Sequence, residues 1–475
     1  MSILSGSVDI SLQNDSEKCS PNRNTPMTNL RSTLAVSAFL FIYISHSIAQ
    51  NPLIRDQYSA DPSARVFGDR VYVFPSHDIL ATEGKGRVGW FCMEDYHVFS
   101  SINLVDWKDH GVIVSQNEVP WVRRNSYSMW APDCIYRNGK YYFYFPTAAQ
   151  DTTTYGRGFT IGVAIADKPE GPYVPQSTPI KGVHGIDPNV FIDKDGQAYL
   201  YWSAGNIYSA KLKENMLELA SDVKILGELP SKGLKEGPYL FERNGIYYLT
   251  YPHVENKIER LEYAIGDNPL GPFKVTGVIM DESPTGCWTN HHSIIQFKNQ
   301  WYLFYHDRDY SPNFDKARSI RMDSLFFNVD GTIMQVKRTL RGTGITDASA
   351  QIQIDRFSAK SNEGASIDFI DTTNRFLGWK TILDKPNAWI QYNTVQFGKK
   401  PAKNITIRAV SATGGSLVIR TKDASGPVIA EVNIPKGNEW STIKKTISPL
   451  QPDIKNLVVQ LKGNGHIEVD WIRFE

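Results

Sequence analysis

Three observations predict an all-β protein, a five-bladed β-propeller followed by a β-sandwich of the jelly-roll type. One phrase recurs five times, its copies are spaced like propeller blades, and the texture changes near residue 346 to regular short strands without helix signals. The phrase is a small polar or acidic launch point, an apolar alternation, a tight turn and an aromatic return strand. It runs Asp61-Pro62 to Tyr72, Ala131-Pro132 to Tyr144, Asp187-Pro188 to Tyr201, Gly237-Pro238 to Tyr251, and His291-His292 to Tyr305, with starts 50 to 70 residues apart.

Within the phrase, Asn138-Gly139 and Asn244-Gly245 predict tight hairpin turns, and Asp195-Gly196 does the same in the third blade. The last propeller strand is expected over 333–339, after Asp330-Gly331. Gly84 to Gly89 matches a GxGxxG spacing, but strand-like Tyr96 to Ser100 follows it where a nucleotide cradle needs a helix. It reads as a loop bordering the mouth of the site.

The predicted organisation is an upstream extension and signal peptide over 1–50, the propeller over 51–345 and the sandwich over 346–475. Arg31, an apolar run of 11 residues from Leu34 to Ile44, and Ser47-Ile48-Ala49 make the secretion signal, with Met27 its more natural start. The run is shorter than the roughly 20 apolar residues that a membrane-spanning helix needs. The expectation is export, to a periplasm or outside the cell. The linker around Arg341 to Ala348 is short, so the two domains are expected to pack together.

Lys plus Arg total 51 against 50 Asp plus Glu, so no overall field attracts nucleic acid or anionic lipid. Aromatic residues at 12% suit β structure and surfaces that stack on sugar rings. Cys19 is lost with the leader; Cys92, Cys134 and Cys287 leave at least one free thiol and room for one disulfide. No CxxC or Cys/His spacing points to zinc.

Inner propeller strands start toward one end of the central channel, so Asp61, Asp187 and Glu236, just before Gly237-Pro238, converge there. Glycosidic hydrolysis needs a carboxylic acid for the leaving oxygen and a carboxylate for water or sugar. A third carboxylate nearby holds the acid protonated by like-charge repulsion. Any one Asp-Pro can be a turn starter, but three acids in register favour catalysis.

Asn51-Pro52 through Ala60-Asp61-Pro62-Ser63, Trp130-Ala131-Pro132-Asp133, Gly185-Ile186-Asp187-Pro188 and Lys235-Glu236-Gly237-Pro238 together resemble glycoside hydrolase family 43 over 51–344. The resemblance implies a five-bladed propeller that hydrolyses glycosidic bonds with inversion. It implies Asp61 as general base, Glu236 as general acid, and Asp187 as the residue that tunes and orients Glu236. The related invertase-type families carry Arg-Asp-Pro and Glu-Cys where this chain has Ile186-Asp187-Pro188 and Glu236-Gly237, so β-fructosidase activity is not expected. By the same likeness, His291 at the fifth launch point helps hold an axial ion, commonly calcium, or water; the alternative is a channel His bonded to its neighbours. His292 then points away. Trp130 is expected as a wall of the sugar pocket, and Arg318 either binds sugar hydroxyls or lies on the surface.

The last domain resembles carbohydrate-binding module family 6 through Ile352 to Ser358, Leu377-Gly378-Trp379, Trp389-Ile390-Gln391-Tyr392, Gly437-Asn438-Glu439-Trp440 and Val469-Asp470-Trp471. The likeness implies that Trp379 and Trp440 clamp a sugar ring, that Trp389 and Trp471 are core, and that Asp355 and Asp470 contribute to structural calcium. Glu468 stands where that family usually has Asn. The alternative for this domain is a brace without a ligand.

The sequence therefore reads as an exported inverting glycosidase acting on α-L-arabinofuranosyl or β-D-xylosyl linkages of plant polysaccharide such as arabinoxylan. It needs no cofactor for chemistry. The rival reading is a non-catalytic carbohydrate-binding propeller in which the same acids bind sugar or metal.

Overall fold

The computed structural model describes residues 51–311, 313–339, 342, 346–355, 357–373 and 377–475. The expected leader and half of the linker lie outside these residues. Among the described residues the only helix is the single turn Thr152–Tyr155, capped by Asp151. No described helix is long and apolar enough to cross a membrane.

The five phrases become the first hairpins of five consecutive sheets. Ala60–Phe67 pairs with Arg70–Ser76, Asp133–Arg137 with Lys140–Ala148, Ile186–Ile192 with Ala198–Ser203, Tyr239–Arg243 with Ile246–Val254, and Ser293–Phe297 with Gln300–Asp307. The first four sheets are four-stranded and the fifth has three strands. Asn138 and Gly139 have φ of 49° and 79°, and Asn244 and Gly245 have 54° and 83°, as the tight hairpin turn requires. Lys298 and Asn299, at 48° and 64°, make the same turn in the fifth sheet without glycine.

A separate apolar cluster seals each seam between adjacent blades. Phe74 and Tyr96 meet Phe143 and Phe145 at the first seam. Ile161 and Val163 meet Leu200 and Trp202 at the second, and Tyr201 meets Leu249 and Tyr251 at the third. Tyr248 and Leu261 meet Leu303 and Tyr305 at the fourth. Val73 and Phe99 meet Phe304 and Met322 at the fifth, which closes the ring. Alternating aromatic and β-branched residues thus bury both faces of each sheet, as blade stacking demands.

Residues 333–339 do not form the expected strand. Only an isolated bridge joins Phe327 to Ile333, and Met334 and Val336 donate their N–H groups to the carbonyls of Phe326 and Ile279. The open edge of the fifth blade is instead met by the N-terminal segment. Leu53 and Ser59 donate to the carbonyls of Ile320 and Arg318, and the Asn51 side chain both accepts from Met322 N–H and donates to its carbonyl. Chain order hid this closure, because 271 residues separate Asn51 from Met322.

The second domain is two stacked sheets over one core that includes Ile354, Leu383, Ile390, Tyr392, Ile407, Leu457, Val459 and Val469. Trp389 and Trp471, expected in that core, are half-buried. The domains pack directly. Trp379 stacks on Phe369 at 5.0 Å and meets Tyr310 of the propeller edge-on at 5.2 Å, with Tyr58 alongside. Trp379 is fully buried, so the expected sugar clamp is a domain-joining residue instead. Cys92, Cys134 and Cys287 are buried free thiols; the disulfide allowed by the sequence does not form.

Candidate active site

Asp61 and Asp187 sit at the launch points with φ of 48° and 56°, in the left-handed region that side chains other than glycine seldom adopt. At both places the hairpin register shifts, between Ala60 and Ser63 and between Tyr201 and Ser203. A bulge re-aims the side chain it carries. Both carboxylates thereby reach a cavity of about 330 Å³ that Glu236 and Glu259 also line. Nδ1 of His291 lies 3.9 Å from an oxygen of Asp61 and 3.9 Å from an oxygen of Asp187. Those two oxygens are therefore no farther apart than twice that distance.

Around Asp61 the partners are cationic or donating. Arg318 donates from Nη1 to Oδ1 at 2.9 Å and from Nη2 to Oδ2 at 3.2 Å, and Ser76 Oγ donates to Oδ2 at 2.6 Å. Asp61 N–H donates to His306 Nδ1 at 3.0 Å, which leaves Nε2–H to donate to the Thr289 carbonyl. Burial pushes the Asp61 carboxyl up, but the Arg318 guanidinium, with the Ser76 bond, holds it down at about 2. Burial, with Arg318 next to it, brings His306 to about 3, so its ring is neutral. This carboxylate is therefore held ionised near neutral pH.

Arg318 is not a surface residue: it is buried at the edge of the cavity that Asp61 lines. Its five N–H groups go to Asp61, Asp78 and Thr289, with Asp78 accepting at Nε and Nη2, both at 2.9 Å. It is 2% exposed, and its guanidinium carbon lies over the Phe91 ring at 4.9 Å. Its place is to hold Asp61 charged and aimed.

Among the described residues no Lys or Arg is ion-paired with the opposite wall. Asp187 Oδ2 accepts from the Gly237 N–H at 2.9 Å, which fixes the backbone beside Glu236. Glu236 is half-buried and hydrogen-bonded through its side chain to Glu259, which accepts from Asn290 N–H at 2.7 Å. Burial first, and then mutual repulsion, raises the carboxyls: Asp187 well above its ordinary value beside Glu236 and Asp61, and Glu259 well above beside Glu236. Glu236 is raised by burial and by Asp61, against its bond from Glu259 and the field of Arg318. Three crowded carboxyls cannot all ionise, so this wall holds protons near neutral pH.

Trp130, half-buried, lines the cavity together with Trp90, Phe91 and Trp288; it packs on Phe159 at 4.4 Å and edge-on to Phe91 at 5.8 Å. Aromatic faces of this kind stack on sugar C–H surfaces. Asp133, one residue past the second launch point, turns instead into the frame: Ser63, Arg65, Asn189 and the Val190 N–H all bond its carboxylate.

His291 forms the wall between this cavity and a small axial void of about 10 Å³ ringed by Pro62, Pro132, Pro188 and Pro238. That void has room for about one water, and the Asp133 carboxylate beside it is already satisfied. Calcium takes 6–8 oxygens, so the donors of the void do not fit it. His292 turns from the acids to Thr250 Oγ1, 2.6 Å away. In the second domain Asp470 is paired with Arg408, and Tyr310 donates its hydroxyl to the Asp355 carbonyl. A guanidinium on one carboxylate and a hydroxyl donor on the other residue disfavour calcium there.

Trp440 keeps the expected position at the edge of an open depression of about 410 Å³ with Asp368, Leu377 and Lys380, and Arg408 lies over its ring at 4.8 Å. Glu468 accepts from Lys380 at 2.8 Å and lies 3.2 Å from His466 Nε2, so its carboxylate is spent within the protein.

Ser76, Asp78, Glu259, Thr289 and His306 were not foreseen. Asp78 and His306 had a usable signal, because Asp78 lies just past the return strand Arg70–Ser76 and His306 stands at the end of the return strand Gln300–Asp307. Glu259 begins the third strand of the fourth blade, which the repeated phrase does not cover.

The comparisons with known proteins agree with this geometry. Residues 49–333 match the model of the glycosyl hydrolases family 43, and residues 357–475 match that of the carbohydrate binding module (family 6). The chain is 34% identical over 326 residues to a xylosidase/arabinosidase of Bacteroides ovatus, covering 60% of this chain and 97% of the relative. It is 27% identical over 475 residues to an arabinoxylan arabinofuranohydrolase of Paenibacillus polymyxa, covering 87% and 72%. A family 43 β-xylosidase/α-arabinofuranosidase from a compost microbial metagenome, solved with xylotriose in a calcium-free form, superposes with a TM-score of 0.54 at 36% identity, over 62% of this chain and 97% of that one. With three-fifths of its length matched by the family model and the acids of that segment facing one cavity, the chain belongs to the glycosyl hydrolases family 43.

Proposed function

We propose that this glycoside hydrolase cleaves α-L-arabinofuranosyl or β-D-xylosyl linkages of arabinoxylan-type polysaccharide with inversion. The observation that carries the reading is the meeting of Asp61, Asp187 and Glu236 in one aromatic-lined cavity. Asp61, ionised and aimed by Arg318, takes the proton of the attacking water. Glu236, on the proton-holding wall, gives its proton to the leaving oxygen. Asp187 fixes Gly237 and adds to the crowding that keeps that wall protonated. Trp130, with Trp90 and Trp288, stacks on the sugar. The carboxyls supply the whole acid–base chemistry, so no step involves a cofactor.

The pentose assignment rests on the names of the relatives above and on a cavity of about 330 Å³, which suits one sugar unit with its neighbour. The second domain, through Trp440, holds the polymer near the propeller, and the leader-like start of the chain fits export, where such polymers are found. In the test, arabino- and xylo-configured nitrophenyl glycosides are screened and the first-formed anomer is read by NMR. Release of a pentose with inverted configuration is expected; a retained anomer, or binding without hydrolysis, overturns the mechanism.

A further inference from the structure

We propose that His77, Asp95 and His97, in the first blade, form a binding site for one divalent cation of the zinc class. One ligand atom from each lies within 4.8 Å of the others, the only such group of His, Cys, Asp or Glu among the described residues. Asp95 Oδ1 is 2.7 Å from His77 Nδ1 and 4.0 Å from His97 Nε2. Asp95 and His97 are two apart on the strand Asp95–Ser101, so the pleat puts both on one face. His77 follows the return strand Arg70–Ser76 that pairs with it.

The arrangement around His97 is that of a metal ligand rather than of a satisfied core histidine. Its Nδ1 is 3.0 Å from both oxygens of Asp109, on the next strand, which fixes the ring and leaves Nε2 toward Asp95. A carboxylate on the remote nitrogen is the usual support of a metal-bound imidazole. Zinc takes imidazole and carboxylate at about 2.0–2.2 Å with a fourth, open position for water. His77 and Asp95, 16% and 18% exposed at their side chains, give that position access to solvent. Because Ser76 and Asp78 flank His77 and bond Asp61 and Arg318, the ion braces the segment that supports the pocket.

The full chain, stripped with a chelator, is titrated with Zn²⁺ by calorimetry and with Co²⁺ by visible absorption. One ion per chain and a raised melting temperature are expected. His97→Gln and Asp95→Asn should each abolish the Co²⁺ spectrum, and Asp109→Asn should weaken binding by about 10–100-fold. His466→Gln, in the separate His466–Glu468 pair, should leave binding unchanged. Melting of each metal-free variant checks its fold, and if one histidine or aspartate variant is unfolded the other decides. Absence of stoichiometric binding to the parent chain, or its persistence in a folded His97→Gln or Asp95→Asn variant, overturns the proposal.

Discussion

The two walls of the propeller cavity carry the same functional group and give it opposite properties. On one wall Asp61 has a two-pronged guanidinium, a serine hydroxyl and neutral His306 around it, and stays ionised down to about 2. On the other, Asp187, Glu236 and Glu259 have backbone N–H groups and one another, and all are raised. Burial is the leading cause on both walls. What separates a proposed base from a proposed acid is therefore the presence of Arg318 on one side and of a second and third carboxyl on the other, not the chemistry of the acids themselves.

The largest break in this contrast comes from removing either proposed proton-transfer group. Asp61→Ala and Glu236→Ala should each lower kcat on an aryl pentoside by about 10²–10⁴-fold, with circular dichroism unchanged; near-parental turnover in either variant refutes its role.

Next is Trp379→Ala, which tests whether the sandwich is braced to the propeller. Loss of a fully buried Trp should cost about 3–5 kcal/mol in denaturant unfolding, whereas Trp440→Ala should leave stability unchanged and reduce retention on insoluble arabinoxylan. Equal stability of the two variants would mean that Trp379 does not join the domains.

Arg318→Lys keeps the charge but cannot reproduce five donors. It should let the Asp61 carboxyl rise, so the acidic limb of the kcat/KM profile moves to higher pH while the alkaline limb, set by the opposite wall, stays in place. Unmoved limbs would show that Arg318 does not tune Asp61.

The smallest effect is expected from Glu259→Gln, whose amide can still accept from Asn290 and donate to Glu236. Raised carboxyls contribute stability that is full below their unfolded values and is lost as pH rises through the folded ones. Asp61 has the reverse sign, its contribution being present above about 4 and lost as pH falls toward about 2. Glu259→Gln should therefore raise the melting temperature at pH 8–9 and leave it unchanged at pH 5. A destabilised variant at pH 9 would show that Glu259 is held as a carboxylate.

Much of this was legible in the chain. The launch points at Asp61, Asp187 and Glu236 were readable because a repeated strand pattern fixes which end of each blade an equivalent residue occupies. Trp130 followed from its place beside the second launch point, Ala131-Pro132. Trp379 was recognisable as a special residue but was given the wrong partner, and Arg318 was read without its bonds to Asp61 and Asp78. A single chain pattern says that an Arg or Trp is present, not which surface it meets after blades and domains close. Glu259 left little trace, since it begins a third strand that the repeated phrase does not cover.

The sequence by itself determined the five hairpins, their turns and the convergence of three acids, because alternation and turn chemistry act over a few residues and repeat. Only the tertiary structure decided which acid is charged, that the N-terminal segment closes the fifth blade, and that Trp379 is enclosed between the domains. Those outcomes depend on burial and on charges brought together from positions hundreds of residues apart, as Arg318 is to Asp61, and no local pattern records them.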